Sequence, residues 1–416
     1  MPCWVPGLKK ILGGIVLLVI GCTSLISCGG SSPSSTAHVP SGLKFRAFIS
    51  NPLSVTSTGT VAPALNIVDA SQDLLSASTV NLSSSVSNAG MMALSPSKAF
   101  TLVLDPTAGA IAIVDNTQET VQSTITLPAP AQSMFVWIDN ATGYAAVPGA
   151  PAVSGQGSAP GAVVVLNLST SAILATIPVP GAQYVVNSHT GTKILAFGSS
   201  SQTVTVISPS QIGTSGDPRT MVSSSSFDHP VWGIFSSDDT TAYILNCGAE
   251  CGGTTASVAI LDMTQTPPQV SGTIPVPAAT YGLLNGSTLY VAGTSGSGGV
   301  LTAISVSSNT VLNPSPILIT DGYHDRMAIS TSGELFIGAH SCSTGCLSIF
   351  NIANSSVALP TSTGDVTGIQ PITSRDVVYV CQGGGLNIYD DTTNALQTTQ
   401  VGIVGQAVDV ELVDAP

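Results

Sequence analysis

The chain has 416 residues, of which only 7% are charged, and it contains 42 glycines and 27 prolines. Long surface helices need more Glu, Lys and Arg than this, whereas short strands joined by tight turns suit the composition. The 22 acidic residues outnumber the 9 basic ones and give a net charge of −13. A surface of this charge repels phosphate backbones, which argues against a nucleic-acid partner.

The N-terminal segment predicts export. Lys9 and Lys10 precede the uncharged stretch 11–27, which is the pattern of a secretory signal. The sequence Leu-Ile-Ser-Cys at 25–28 resembles a bacterial lipobox. That resemblance implies cleavage before Cys28 and acylation of its thiol, with Cys22 as a second candidate. The competing interpretation is an uncleaved membrane anchor.

Three regions follow from this. We predict a lipoprotein-type signal peptide over 1–27, a Ser/Pro/Gly-rich tether over 28–43 and one domain over 44–416. The protein is then exported and lipid-anchored in the bacterial cell envelope, facing the periplasm or the cell surface. Gly29, directly after the lipidated cysteine, favours the outer membrane.

One short apolar strand that ends in a turn residue recurs eight times in the domain. The clearest copy is Ala110–Asp115, which is followed by Asn116 and Thr117. The copies occupy 64–71, 110–117, 162–169, 203–210, 257–264, 300–307, 346–353 and 385–392. Their mean spacing of about 46 residues is typical of the blades of a β-propeller.

The second unit shows four strands most clearly, which we label a to d from the central channel outward. They are Gly90–Ser95, Phe100–Leu104, Ala110–Asp115 and Thr120–Leu127, each followed by turn residues. The sequence therefore predicts an all-β propeller of four-stranded antiparallel blades. Eight blades fit the repeats best, and seven is the alternative if one unit is degenerate.

The two ends of the domain complement each other. The first unit begins with Phe45–Asn51, which is a strand b with no strand a before it. The C-terminal segment Ala407–Val413 is a strand without a partner. We predict that this tail supplies the missing strand a, so that N- and C-terminal strands share one blade and close the ring.

The b strands resemble the YVTN family of bacterial β-propeller repeat proteins. The resemblance rests on Phe48-Ile-Ser-Asn51, Tyr243-Ile-Leu-Asn246 and Tyr379-Val-Cys-Gln382, together with the Ile-Val-Asp ends of strands c. It covers roughly residues 44–416. It implies a cell-envelope propeller and says little about activity, because function is grafted onto folds of this kind.

Four cysteines form two closely spaced pairs between strands b and c. The pairs are Cys247 with Cys251 and Cys342 with Cys346. In an oxidising compartment each pair predicts a small disulfide that closes a hairpin loop. A metal site that includes His340 is the competing interpretation, although two Cys and one His make a poor zinc set. Cys381, inside a strand b, is predicted to be a buried free thiol.

One face of the propeller carries the longer loops. The b–c and d–a connections emerge on the same face, and the b–c connections are long at 51–63, 149–161, 247–256 and 341–346. Binding residues concentrate in loops held by a rigid scaffold. We therefore expect the ligand site on this face.

Two polar clusters fall on d–a connections of that face, two blades apart. Asp228 and His229 form one cluster, and His324, Asp325 and Arg326 form the other. Related positions around the channel mouth hold Gln183, Tyr184 and Tyr281. Convergent polar groups at a channel mouth predict a pocket for a small anionic or polyhydroxy ligand, or for a divalent cation. The competing interpretation is that the clusters are structural turns.

Two functions from different classes remain open. The first is a binding or protein-interaction module, anchored to the membrane by lipid, whose partner is an envelope protein, a glycan or a small ligand. The second is a hydrolase or lyase, similar to propeller lactonases, acting through His229, His324 and their acids. No catalytic residue is assigned, no cofactor is predicted, and a divalent cation remains possible. Convergence of the two histidines within hydrogen-bonding reach would favour the enzyme.

Overall fold

The described residues form eight separate antiparallel sheets, which are the eight blades of a β-propeller. The computed structural model describes residues 38–56, 58–153, 159–200, 202–296, 298–397 and 400–415. The predicted signal peptide, Cys28 and residues 28–37 of the predicted tether lie outside these residues. Residues Val39–Pro416 form one compact unit. No helix in the described part of the chain has the length and apolar character needed to span a membrane.

Each blade has strands a to d in order from the channel outward. Blade 1 consists of Asp409–Leu412, Arg46–Val55, Val61–Asp69 and Leu74–Asn81, and blade 2 consists of Met92–Leu94, Phe100–Asp105, Ala110–Asp115 and Thr120–Thr126. Blade 3 consists of Ser133–Val136, Thr142–Val147, Ala162–Asn167 and Ala172–Pro178, and blade 4 consists of Tyr184–Asn187, Ile194–Phe197, Thr203–Ile207 and Arg219–Ser223. Blade 5 consists of Pro230–Phe235, Thr241–Asn246, Ser257–Asp262 and Gln269–Pro275, and blade 6 consists of Tyr281–Asn285, Thr288–Ser295, Gly298–Ser305 and a strand d divided into Thr310–Val311 and Ile317–Ile319. Blade 7 consists of Tyr323–Ile329, Glu334–His340, Leu347–Asn351 and Val357–Ala358, and blade 8 consists of Val366–Ile372, Val377–Gln382, Gly385–Asp390 and Ala395–Leu396. The eight-blade prediction is confirmed, and the seven-blade alternative is wrong.

In the part of the chain that the structure describes, two short 3₁₀ helices interrupt the strands, Pro209–Gln211 in blade 4 and Gly248–Cys251 in blade 5. One segment that the sequence predicted to be a loop is instead largely strand. Strands b and c of blade 1 continue as a paired hairpin as far as Val55 and Val61, across most of the segment predicted as a long loop at 51–63. The pairing persists beyond Asn51 because an irregularity between Asn51 and Ser54 lets the ladder resume.

The hydrophobic core lies between adjacent blades. Between blades 2 and 3, for example, Leu102 and Ile113 share one buried cluster with Ala145 and Val164. Strands b and c are covered on both faces by neighbouring blades, so they are continuous apolar runs rather than alternating ones. This explains why strand c was the clearest repeat in the sequence.

The acid at the end of strand c caps the turn that follows. Asp115 Oδ1 accepts hydrogen bonds from the backbone N–H groups of Thr117 and Gln118, both at 2.8 Å. Asp390 accepts in the same way from Thr392 at 3.0 Å and Thr393 at 2.9 Å. These repeated turn acids are therefore structural, because an Asx turn satisfies backbone donors that strand pairing leaves free.

The ring closes as predicted, by pairing of the two ends of the domain. Strand Asp409–Leu412 pairs antiparallel with strand b of blade 1, with Ala47 opposite Leu412 and Ser50 opposite Asp409. The first and last strands of the domain therefore belong to one sheet.

A buried guanidinium reinforces this closure. Arg46 donates from Nε and Nη2 to the Asp414 carboxylate at 2.8 and 2.7 Å, and from Nη1 to Glu119 of blade 2 at 2.7 Å. Glu119 also accepts from the backbone N–H of Ser41 at 2.6 Å. The N-terminal entry, the C-terminal tail and blade 2 thus meet at one residue, whose charge is fully paired.

We predict that removal of the closing strand destabilises the whole domain. A chain that ends after Ala407 loses the ladder of strand a and the burial of Val410, Leu412 and Val413. Burial of three such side chains contributes about 5 kcal/mol, which is comparable to the stability of a typical domain. A chain that ends after Asp414 is the matched control, since it keeps both the strand and the Arg46 contact. Equal urea midpoints for the two chains would contradict closure by this strand.

Candidate functional site

A cleft of about 420 Å³ opens on the face that carries the b–c and d–a connections. We call it the mouth cleft. Its polar and aromatic lining comes from blades 4, 5 and 7 and comprises Gln183, Tyr184, Ser199, Ser200, His229, Tyr323 and His340. Two of the three predicted mouth residues and one predicted histidine therefore lie together.

Asp228 organises the loop beside this cleft. Its Oδ2 accepts hydrogen bonds from the backbone N–H groups of Thr254 and Thr255 at 2.7 and 2.8 Å. Its Oδ1 lies 2.9 Å from His229 Nδ1. The hydrogen bonds from His229 and the two backbone amides lower the pKa of Asp228 below its usual range. Asp228 is thus an ionised loop anchor that also fixes the orientation of the histidine.

The backbone of His229 is held by the disulfide loop of blade 5. Cys247, bonded to Cys251, donates its backbone N–H to the His229 carbonyl at 2.9 Å. His229 itself has a positive φ of 57°, which is unusual for a residue other than glycine. Gly253 lies so close that a Cβ there would overlap Asp228 Oδ1. The local packing therefore places the imidazole in the cleft.

His324 is not part of the cleft. Its side chain is fully buried, with Nε2 3.0 Å from the Thr320 carbonyl oxygen and Nδ1 without a hydrogen-bond partner among the described residues. Burial lowers the pKa of His324 to about 4, so the ring is neutral near pH 7. The proposed convergence of His324 with His229 is absent, because each has its own local partner.

A β-bulge explains why the second cluster is divided. In strand a of blade 7, His324 pairs with Ala339 and Arg326 pairs with Gly338, so Asp325 is the extra residue. A bulge breaks the strict alternation of side chains. As a result both Asp325 and Arg326 line the central channel, while His324 points into the core.

His340 takes the place that the sequence assigned to His324. It ends strand b of blade 7, opposite Tyr323, and the two rings lie 5.2 Å apart between centroids. The Asp325 carboxylate lies 3.7 Å from His340 Nδ1 and raises the pKa of His340. The sequence singled out His340 only as a poor metal ligand beside Cys342. The cross-strand pairing that brings it to the cleft has no local sequence signal.

Arg326 lies in the central channel, which adjoins the mouth cleft through Tyr184. A cavity of about 240 Å³ there is lined by Tyr184, Tyr281, Trp232, Asp325, Arg326, Asp409 and Glu411, among others. Arg326 donates from Nε to the Thr367 carbonyl at 3.1 Å and from Nη1 to the Asp325 carbonyl at 2.9 Å. The ring centroids of Trp232 and Tyr281 are 4.7 Å apart. Tyr281, Asp325 and Arg326 are therefore channel residues rather than cleft residues.

Both predicted disulfides are present. Cys247 is bonded to Cys251 and Cys342 to Cys346, and Cys381 is a buried free thiol. Burial raises the pKa of the Cys381 thiol. Within the described residues, no group of three or more His, Cys, Asp or Glu side chains is arranged to hold a metal ion.

No protein-family model matches the chain, and no curated protein matches it either. Among solved structures it is similar to dihydro-heme d1 dehydrogenase NirN in complex with DHE, at 12% identity and a TM-score of 0.67 over 92% of this chain and 79% of that chain. It is also similar to Kuenenia stuttgartiensis hydrazine synthase, at 13% identity and a TM-score of 0.54 over 76% of this chain and 96% of that chain. A functionally unknown protein from Desulfotomaculum acetoxidans matches at 14% identity and a TM-score of 0.52 over 82% of this chain and 99% of that chain. Identities this low show a shared propeller fold and nothing further.

The closing strand brings two carboxyl groups into the channel. Burial raises the pKa of Asp409 to about 6, an effect that Arg326 opposes. Burial and the neighbouring Asp409 raise the pKa of Glu411 to about 8, while Lys98 opposes the shift. Both groups bind protons more tightly in the folded chain than in the unfolded chain.

We predict that the domain loses stability as the pH rises from 7 to 9, above the range in which the lowered pKa of the buried His324 acts in the opposite direction. Carboxyls with a raised pKa favour the folded state below their unfolded pKa, and that contribution is lost as the pH passes their folded pKa. The urea midpoint of the parent chain should therefore fall over this range, and Glu411→Gln should flatten the slope. Gln370→Ala, at a neutral channel residue, is the control and should keep the parental slope. A parental midpoint that is constant from pH 7 to 9 would refute the prediction.

Proposed function

We propose that this protein is an exported, lipid-anchored binding module of the bacterial cell envelope. Its propeller would hold a small, uncharged, hydroxyl-rich ligand, such as a saccharide unit, in the mouth cleft. The location rests on the signal-like segment 11–27 and the lipobox-like sequence that ends at Cys28. The resemblance of the b strands to YVTN-type envelope propellers supports the same assignment.

The observation that carries the ligand class is the chemistry of the cleft lining. Among the described lining residues, there is no Asp, Glu, Lys or Arg. The lining instead offers the two histidines, the hydroxyls of Tyr184, Tyr323 and Ser199, and the amide of Gln183. Hydroxyls, amides and imidazoles both donate and accept, which matches a ligand that bears many hydroxyl groups. A volume of about 420 Å³ lies within the range of small-molecule pockets.

The orientation of the two histidines supports this assignment. A carboxylate lies at the Nδ1 side of each ring, Asp228 at 2.9 Å from His229 and Asp325 at 3.7 Å from His340. Neither Nε2 makes a hydrogen bond to a described residue, so each is available to a ligand. A polar group whose geometry is fixed before binding loses less entropy when the ligand arrives.

The charge around the cleft argues against an anionic ligand at this position. The acids Asp228, Glu250 and Asp325 lie around it, and the whole chain carries −13. Like charges in the surroundings oppose the approach of an anion. A neutral polyhydroxy ligand avoids this cost.

A hydrolase or lyase at the same cleft is the second candidate. An imidazole held at Nδ1 by a carboxylate presents Nε2 as a general base, and both cleft histidines have this arrangement. His324 contributes nothing to this mechanism because it is buried behind the bulge. The enzyme would therefore depend on His229 and His340.

We predict that a neutral disaccharide binds the mouth cleft. Isothermal titration of maltose, cellobiose and chitobiose against the parent chain identifies the best of the three. His340→Ala and Tyr323→Ala should each weaken its binding at least tenfold, which corresponds to about 1.4 kcal/mol. His189→Ala is the matched control, since His189 is also exposed and lies 2.9 Å from an aspartate, Asp239, but is remote from this cleft.

Two results decide between the candidates. Failure of all three disaccharides to bind, or equal loss in the His189 control, would rule out this ligand class at this cleft. Chromatography of the products shows whether the bound disaccharide is cleaved. Cleavage by the parent chain but not by His340→Ala would favour the hydrolase.

The anchor predicts a separate outcome in cells. Cys28→Ser should block both cleavage and lipidation and leave a precursor that is held at the membrane only by its uncleaved segment 11–27, because the thiol is the acylation site that the lipobox resemblance implies. Cys22→Ser is the matched control and should change neither. Normal processing of the Cys28 variant would point to Cys22 or to plain secretion.

A further inference from the structure

A second cavity, of about 610 Å³, lies on the same face across the channel mouth from the mouth cleft. We call it the proline lobe. Its lining comes from blades 1, 2, 3, 7 and 8 and includes Met91, Leu104, Pro106, Pro130, Pro148 and Arg326. The proposed saccharide function makes no use of this cavity.

The wall of the proline lobe is apolar and rigid. Pro106, Pro130 and Pro148 come from three connections of this face, which are the b–c loop of blade 2, the d–a connection to blade 3 and the b–c loop of blade 3. A proline ring fixes φ, so these segments cannot rearrange freely to fill the cavity. A preformed apolar wall favours an apolar ligand because little ordering is needed on binding.

Among the described residues that line the proline lobe, Arg326 carries the positive charge. Its Nε and Nη1 donate to the carbonyls of Thr367 and Asp325, which fix the plane of the guanidinium. Nη2 donates to no residue in the described part of the chain, and about a third of the side chain is exposed, at 34%. The guanidinium therefore has an oriented donor available to an oxygen acceptor.

We propose that the proline lobe binds an amphipathic monocarboxylate, with its apolar chain against the prolines and its carboxylate at Arg326 Nη2. A single negative charge suits the site because Asp325 and Asp409 already offset part of the guanidinium charge. A phosphate dianion would meet one cation and two nearby carboxylates. A purely apolar ligand would leave the Nη2 donor without an acceptor.

The charged and titratable groups around Arg326 set how this binding depends on pH. They are Asp325, Asp409, Tyr184 and Tyr281, and Asp409 is itself next to Glu411, which lies near Lys98. Asp409 lines the same channel cavity as Arg326, and its negative charge offsets the guanidinium charge that the ligand would meet. Its protonation as the pH falls towards 6 frees the cation, so carboxylate binding strengthens at lower pH.

The test compares decanoate with decanol, two probes with the same chain and different head groups, by isothermal titration calorimetry at pH 7.5 and pH 6.0. The parent chain should bind decanoate at least tenfold more tightly than decanol and more tightly at pH 6.0. Arg326→Gln should abolish that preference while leaving decanol affinity within about twofold, which also shows that the variant is folded. Gly149→Leu, in the lobe wall where the backbone tolerates a side chain, should weaken both probes.

Ser199→Ala is the matched control, since Ser199 lines the mouth cleft and not the proline lobe. It should leave decanoate binding unchanged, which separates this proposal from the saccharide site. Equal affinity of the parent chain for decanoate and decanol, an unchanged preference in Arg326→Gln, or an effect of Ser199→Ala as large as that of Gly149→Leu would each overturn the proposal. Absence of decanoate binding to the parent chain at millimolar concentration would do the same.

Discussion

The structure depends on one noncovalent contact, the antiparallel pairing of the last strand of the domain with the first. Every blade buries its strands b and c against two neighbours, so an open ring would leave two apolar blade faces in water. Strand Asp409–Leu412 prevents this by completing blade 1 from the opposite end of the chain. The Arg46 guanidinium, shared between Glu119 and Asp414, ties the same contact to blade 2.

This contact also sets the chemistry of the channel. Strand a is the innermost strand, so the residues that close the ring line the channel as well. Asp409 accepts the backbone N–H of Met92 at 2.7 Å, which links the closing strand to blade 2. The same carboxyl lies in the field of Arg326. Ring stability, channel protonation and the charge available at Arg326 are therefore coupled through one strand.

The mouth cleft and the proline lobe differ in chemistry because different blades supply their loops. Blades 4, 5 and 7 contribute imidazoles, phenols, hydroxyls and an amide, with disulfide-closed loops beside His229 and His340. Blades 2 and 3 contribute prolines and small apolar residues. Short cross-linked loops and proline-containing loops both have restricted backbone motion, so the mouth cleft and the proline lobe keep distinct preformed shapes on a common scaffold.

The sequence by itself determined the blade repeat, the exchange of a strand between the two ends and the two disulfide pairs, because each depends on local periodicity or short spacing. It also found His229, Arg326 and the face on which they lie. The tertiary structure alone decided which side chains meet. One extra residue, Asp325, forms a bulge that turns His324 into the core and leaves the adjacent acid to face His340 from the next strand. A bulge changes the direction of side chains without changing the hydrophobic pattern, and convergence of residues from different blades depends on ring geometry that no local pattern encodes.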